Sequence, residues 1–136
     1  MRKTAHLIFA GVFLLGTVSA VNAESISLVA HLLGSTAHSG SDAFAEAQFT
    51  YDSNSRALEY YVNYDGVAPV KVDIHGPGGA GGNAPAIATL PLSESPISGT
   101  VTLTGEQAAE LLAGKTYLDI HSQAYPDGEI RGQITR

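Results

Sequence analysis

The sequence predicts an all-β sandwich carrying one short helix near residues 104–112, and three observations point to it. Apolar residues alternate with polar ones at a period of two along most of the chain, the repeat of strands buried on one face. Gly, Pro, Asn or Asp break that alternation at intervals of about 8–12 residues, the spacing of short strands in a sandwich. The period changes at one place only, after Thr104.

Each element follows in order. Ile26, Leu28, Ala30 and Leu32 alternate with Ser27, Val29 and His31, which predicts a first strand ending before the Gly/Ser-rich stretch 34–42. A second strand is expected over about 43–51, closed by the turn residues Asp52, Ser53, Asn54 and Ser55. Beyond that turn Leu58, Tyr60, Val62 and Tyr64 form one face and Glu59, Tyr61 and Asn63 the other, so the pair reads as a hairpin. Residues 67–74 are strand-like, with Pro69 placed near an edge or a start. The run 76–85 holds five glycines and two prolines, which no regular element accommodates, so it is a loop. Two short strands follow over 87–92 and 98–103. Thr104 and Gln107 then have capping-box spacing ahead of the helical stretch Ala108 to Leu112, which Gly114 can close. Strands over 117–121 and 129–135, joined through Tyr125-Pro126-Asp127-Gly128, complete the chain.

Residues 1–23 stand apart. Arg2 and Lys3 precede an apolar run from Leu7 to Leu15 that small residues close, the pattern of a signal peptide cleaved after Ala23. The run is too interrupted, by Gly11, Gly16, Thr17 and Ser19, to serve as a span of roughly 20 apolar residues. One mature domain, residues 24–136, is therefore expected in the periplasm or the medium, with no membrane span. It keeps thirteen acids and loses two of the seven bases, for a net charge of about −8. Its five bases are scattered, so nucleic acid is not an expected partner. The chain has no Cys, and stability must come from packing, with or without a ligand.

The chemistry concentrates in a repeated tripeptide, Asp73-Ile74-His75 and Asp119-Ile120-His121. Residues two apart share a strand face, so each Asp sits beside its His while Ile74 and Ile120 point into the core. With the isoleucines opposed on antiparallel neighbours, Asp73 would face His121 and Asp119 would face His75, at Cβ separations of about 4.5–5.5 Å. The preferred reading is a set of cross-strand pairs on a solvated or half-covered face, contributing roughly 0.2–1 kcal/mol each. The alternative is a nitrogen and oxygen ligand set for zinc or copper(II), built from His75, His121, Asp73 and Asp119. His31 and His38 are further candidates, each expected to be simply exposed. Glu129 and Arg131 share a strand face and read as a surface pair. Neither Gly40-Ser41-Asp42 nor Ile97-Ser98-Gly99 has the setting of a hydrolase nucleophile, and the Gly-rich loop lacks the Lys and helix of a phosphate cradle.

Several segments together resemble one known family. Ile74-His75-Gly76-Pro77, the Asn83-Ala84-Pro85 that ends the Gly-rich loop, and Ser98-Gly99-Thr100-Val101-Thr102-Leu103-Thr104 are similar to the CHRD domain named after chordin. So are the stretch from Leu112 to His121 and the closing Tyr125-Pro126-Asp127-Gly128-Glu129-Ile130-Arg131-Gly132-Gln133-Ile134. The resemblance covers nearly all of residues 26–134. It implies a Greek-key or immunoglobulin-like antiparallel β-sandwich, exported, with a biochemical role that the family leaves undefined. Family members commonly carry His-x-His-Gly-Pro where this chain has Asp73-Ile74-His75-Gly76-Pro77, and Asn-x-His-Thr where it has Asp119-Ile120-His121-Ser122. The pattern is also similar to copper sites in Greek-key sandwiches such as copper-zinc superoxide dismutase, though Asp73 replaces one imidazole. Taken together, the sequence points to an exported, non-enzymatic binding or interaction module whose partner is a protein or small ligand. A copper or zinc protein with dismutase-like activity is the alternative. An envelope structural protein assembling through strand edges is a third reading.

Overall fold

The apolar faces of the strands close on one another to make the core. The computed structural model describes residues 24–136 and, ahead of them, Gly16, Thr17, Ser19 and Asn22, so most of the expected leader lies outside the described residues. Eight strands follow: β1 (Ser25–Leu33), β2 (Phe44–Asp52), β3 (Ala57–Asp65), β4 (Pro69–His75), β5 (Ala86–Leu90), β6 (Ile97–Thr102), β7 (Tyr117–Ser122) and β8 (Ile130–Gln133). Two helices interrupt them, α1 (Gly34–Ala37) and α2 (Gly105–Leu112). The predicted all-β class, the strand positions and the capped helix are all present. Thr104 accepts from the Gln107 amide and Gln107 answers to the Thr104 amide, the reciprocal pair its spacing implied. The single turn α1 was not foreseen, because the Gly/Ser-rich stretch reads as loop; His38, at φ 58°, ends it in the left-handed region.

All pairings are antiparallel, in the order β5-β4-β7-β8-β1-β2-β3-β6. The halves β1-β2-β3-β6 and β5-β4-β7-β8 share one core, with Leu28, Leu32, Phe49, Leu58 and Val62 from the first and Val72, Ile74, Leu118, Ile120 and Ile130 from the second. Inward and outward residues alternate over nine positions in both β1 and β2, so the pattern legible in the sequence is the burial pattern itself. The halves are sewn together narrowly, by the pair Leu33 with Arg131 and by the reciprocal backbone hydrogen bonds of Val29 and Thr135 at 2.8 and 2.9 Å.

The β2–β3 hairpin gives a first testable consequence. Asp52 Oδ1 accepts from the amides of Asn54 and Ser55 at 2.8 and 2.9 Å, while Arg56 takes the left-handed conformation at φ 59°. Those amide donors hold the Asp52 carboxyl below its ordinary value of 3.8. A lowered folded value means that the turn's contribution is present above the unfolded value and is lost as pH falls through the folded one. An NMR titration of the Asp52 carboxyl carbon should therefore show a midpoint below 3.8. A midpoint at or above that value would contradict the turn geometry.

Candidate metal centre

β4 and β7 each bury one face in the core, and on both the opposite face carries polar groups. Val72 and Ile74 point inward from β4, leaving Lys71, Asp73 and His75 outside; Leu118 and Ile120 point inward from β7, leaving Tyr117, Asp119 and His121 outside. That outer face is not solvated. Every residue of β7 is buried, because the Gly-rich loop 76–85 and the turn 123–128 fold back over it. Asp73 is 1% exposed, Asp119 0% and His121 5%. The expectation of cross-strand pairs on a solvated or half-covered face is thus corrected by these two covering segments.

The register also differs from the expected one. Asp73 lies opposite Asp119, Ile74 opposite Leu118 and Val72 opposite Ile120, so the isoleucines are not opposed. The offset is two residues, which keeps every side chain on its expected face and changes only its direct neighbour. Apolar residues of equal rank line the inner face at each of these positions, and composition cannot choose between registers that keep the same face buried. The two carboxylates form the central rung, and the imidazoles lean over it from diagonal positions.

The sequence-predicted residues therefore do meet. His75 Nε2 lies 3.8 Å from both Asp73 Oδ2 and Asp119 Oδ2, and His121 Nε2 lies 3.5 and 3.6 Å from the same two oxygens. The imidazole centroids are 5.9 Å apart. Each ring is fixed from behind: His75 Nδ1 is 2.8 Å from the Ala84 carbonyl and His121 Nδ1 is 2.8 Å from the Pro126 carbonyl. A nitrogen facing a carbonyl oxygen carries the proton, which leaves Nε2 of each neutral ring as an acceptor. His75 also stacks on Tyr117, with centroids 5.0 Å apart and planes 6° from parallel.

Three buried acceptors consequently converge, one each from Asp73, His75 and His121. Among the described residues Asp73 Oδ2, His75 Nε2 and His121 Nε2 make no hydrogen bond, nor does Asp119 Oδ1 beside them, although leaving such an atom unpaired costs about 1–3 kcal/mol. Separations of 3.5–3.8 Å exceed the roughly 2.7–2.9 Å of a charge-assisted hydrogen bond. They lie close to the edge of a tetrahedron with metal bonds near 2.0–2.1 Å, which is about 3.4 Å. One ligand atom from each of Asp73, His75 and His121 falls within 4.8 Å of the others.

The remaining groups hold the carboxylates. Thr89 Oγ1 donates to Asp73 Oδ1 at 2.7 Å, and Lys71 Nζ makes an ion-pair contact with Asp73 Oδ2 at 3.0 Å. Arg131 Nε donates to Asp119 Oδ2 at 2.7 Å, and its Nη atoms donate to Gly82 O, Asn83 Oδ1 and Asp127 O. Arg131 is therefore buried, as is Glu129, which accepts from Ser41 Oγ at 2.7 Å. The expected Glu129–Arg131 surface pair is corrected: each is buried with a different partner, because β8 is covered by α1 on one side and by the loops on the other. Burial pushes the Asp119 carboxyl above its ordinary value, with His121, Arg131 and His75 opposing that rise. His31 is exposed beside Glu46, and His38 caps α1; neither joins the cluster.

Sequence reasoning missed Lys71, Thr89 and Gly128. Lys71 was within reach, since it stands two residues before Asp73 on the same face. Gly128 sits at φ +119°, where an added Cβ would overlap the Asp119 carboxylate and stand 2.9 Å from Arg131 Nε. Thr89 carries no local signal, because only the pairing of β4 with β5 brings it to Asp73.

Fold and site together define an antiparallel β-sandwich domain with a cluster of two imidazoles and two carboxylates buried outside its apolar core. Among curated proteins and among solved structures, nothing matches the chain. The CHRD domain family matches residues 28–134, nearly all of it, and the chain belongs to that family.

Proposed function

We propose that this CHRD domain binds one divalent transition-metal ion, zinc or copper(II), with Asp73, His75 and His121 as ligands and Asp119 beside them. One observation carries the reading: buried acceptor atoms of Asp73, His75 and His121 lie within 4.8 Å of one another, and neither imidazole Nε2 has a hydrogen-bond partner among the described residues. The Nδ1–H groups held by backbone carbonyls are the outer contacts that orient metal-binding histidines. Nitrogen and oxygen donors without thiolate suit either ion.

Thermal unfolding with each ion tests this. At a free ion concentration 100 times Kd, the native state gains about 2.7 kcal/mol, a rise in midpoint on the order of 10 °C for a domain of this size. The His75→Ala/His121→Ala double variant should show no such rise. An equal rise in that variant, or none in the parent, removes the site.

We also read the protein as exported to the periplasm or medium, on the strength of Arg2, Lys3, the apolar run 7–15 and the small residues before Ala23. No described helix is long and apolar enough to cross a membrane. An interaction module for a protein or small-ligand partner is the second reading. It draws on Val29, Leu33, Phe44 and Tyr61, which are exposed together on the outer face of β1, β2 and β3. Superoxide decay measured on the copper-loaded protein separates a passive site from an enzyme.

A further inference from the structure

The proposed ion would have an open side, and the groups on that side define a second ligand. Asp119 Oδ2 already accepts from Arg131 Nε at 2.7 Å, which leaves Asp73, His75 and His121 as the three groups free to hold an ion. Three protein ligands leave a fourth position to water or an external group. The sheet closes one side of the cluster. On the other lies a recess of about 400 Å³ lined by both imidazoles together with Lys71, Tyr117, Asp127 and Arg131.

Lys71 and Arg131 differ in what they can do there. The Lys71 side chain is half exposed, and its ammonium stands 3.0 Å from Asp73 Oδ2, the same oxygen that faces both imidazole nitrogens. Its positive charge competes with a cation for that oxygen. An ion bound to Asp73 deprives Lys71 of its counter-charge and leaves the ammonium at the mouth of the recess. Arg131 has no such freedom, since it is buried and donates to Asp119, Gly82, Asn83 and Asp127. With a divalent ion present, the ion and these two cations outweigh Asp73, Asp119 and the rim Asp127 by a single positive charge.

We propose that the site takes its ion together with one small carboxylate-type monoanion, bonded at the open metal position and paired with the Lys71 ammonium. The inference rests on the metal reading. It also makes Lys71 a competitor for Asp73 in the ion-free protein, so that removing its charge weakens anion binding while leaving metal binding equal or tighter.

The test uses copper(II)-loaded protein, or cobalt(II)-loaded protein should the site reject copper. Ion affinity is measured first, by calorimetry, on the parent and on Lys71→Gln, a change at a half-exposed side chain outside the core. Sodium azide is then titrated, followed by sodium acetate. Azide should alter the visible absorption of the bound ion, acetate should reverse the change competitively, and Lys71→Gln should weaken both anions about tenfold while holding the ion at least as tightly. Tight ion binding with no azide response, with no displacement by acetate, or with equal anion affinity in Lys71→Gln overturns the anion site and leaves the metal reading standing. Absence of ion binding in the parent overturns both.

Discussion

Replacing Arg131 by alanine should lower the unfolding free energy by about 3–5 kcal/mol, the usual result of removing one partner from a buried ion pair. Arg131 is 7% exposed and Asp119 0%. The guanidinium bonds Asp119 directly, ties down Gly82 and Asn83 of the Gly-rich loop and Asp127 of the final turn, and lies 5.6 Å over the Tyr117 ring. Alanine would leave a buried carboxylate unpaired and release both segments that cover the site. The deficit should depend on pH. The folded Asp119 carboxyl titrates above its ordinary 3.8 because burial outweighs its neighbours, so its contribution favours the fold at low pH and is lost as pH rises through the raised value. Removal of the opposing Arg131 extends that loss. Urea denaturation of Arg131→Ala should therefore show a larger deficit at pH 7 than near pH 4, where much of Asp119 is protonated. Equal deficits, or one below about 1 kcal/mol, would contradict the role given to the pair. Arg131→Lys should recover only part, since an ammonium keeps the charge without the planar fork that reaches two loops and a carboxylate.

Gly132→Ala is expected to destabilise the fold by about 3 kcal/mol, at the upper end of what overpacking costs. An added Cβ would overlap the His31 carbonyl oxygen and stand 2.6 Å from His31 C and 3.1 Å from Leu32 N, all of them backbone atoms. No rotamer can relieve such a clash, so β8 must move from β1. That seam carries little else: Leu33 opposite Arg131, and the paired hydrogen bonds of Val29 and Thr135. Hydrogen exchange should reveal the mechanism, with the Val29 and Thr135 amides losing more protection than those of β2 and β3. Gly99→Ala is the control. A Cβ there meets the Tyr60 hydroxyl end, with Cε1 of that ring 3.3 Å away, and a side-chain tip can shift where a peptide cannot. A Gly132→Ala midpoint equal to that of Gly99→Ala would mean that the seam yields more readily than its backbone contacts imply.

Most of the fold was legible because its signals are local. Alternation over β1, β2 and β3 states which face is buried, and Asp52 and Thr104 mark a turn and a helix start through hydrogen bonds made within three residues. The turn α1 was hidden because Gly34, Ser35 and Thr36 have no apolar period, and a contact just after it to the residue before β8, rather than propensity, holds the segment: Ser39 Oγ donates to the Glu129 carbonyl at 2.6 Å. The site was legible in part. The period-two rule put Asp73 with His75 and Asp119 with His121, and their joint location on adjacent strands is as expected. Their burial was not, since polar residues on an outward face read as solvated, and only the returning loops reverse that.

The amino-acid order alone settled the strand class, the capped helix, the family resemblance and the twin Asp-x-His faces, since each depends on neighbours within a few positions. Tertiary structure decided the rest: the two-residue register offset between β4 and β7, the covering of the cluster by residues 76–85 and 123–128, and the assignment of Arg131 to Asp119. Those choices join groups far apart in the chain, as in the bond from Arg131 to Gly82 across 49 residues. Periodicity carries no record of such distances, because it reports which way a side chain points and not what comes to meet it.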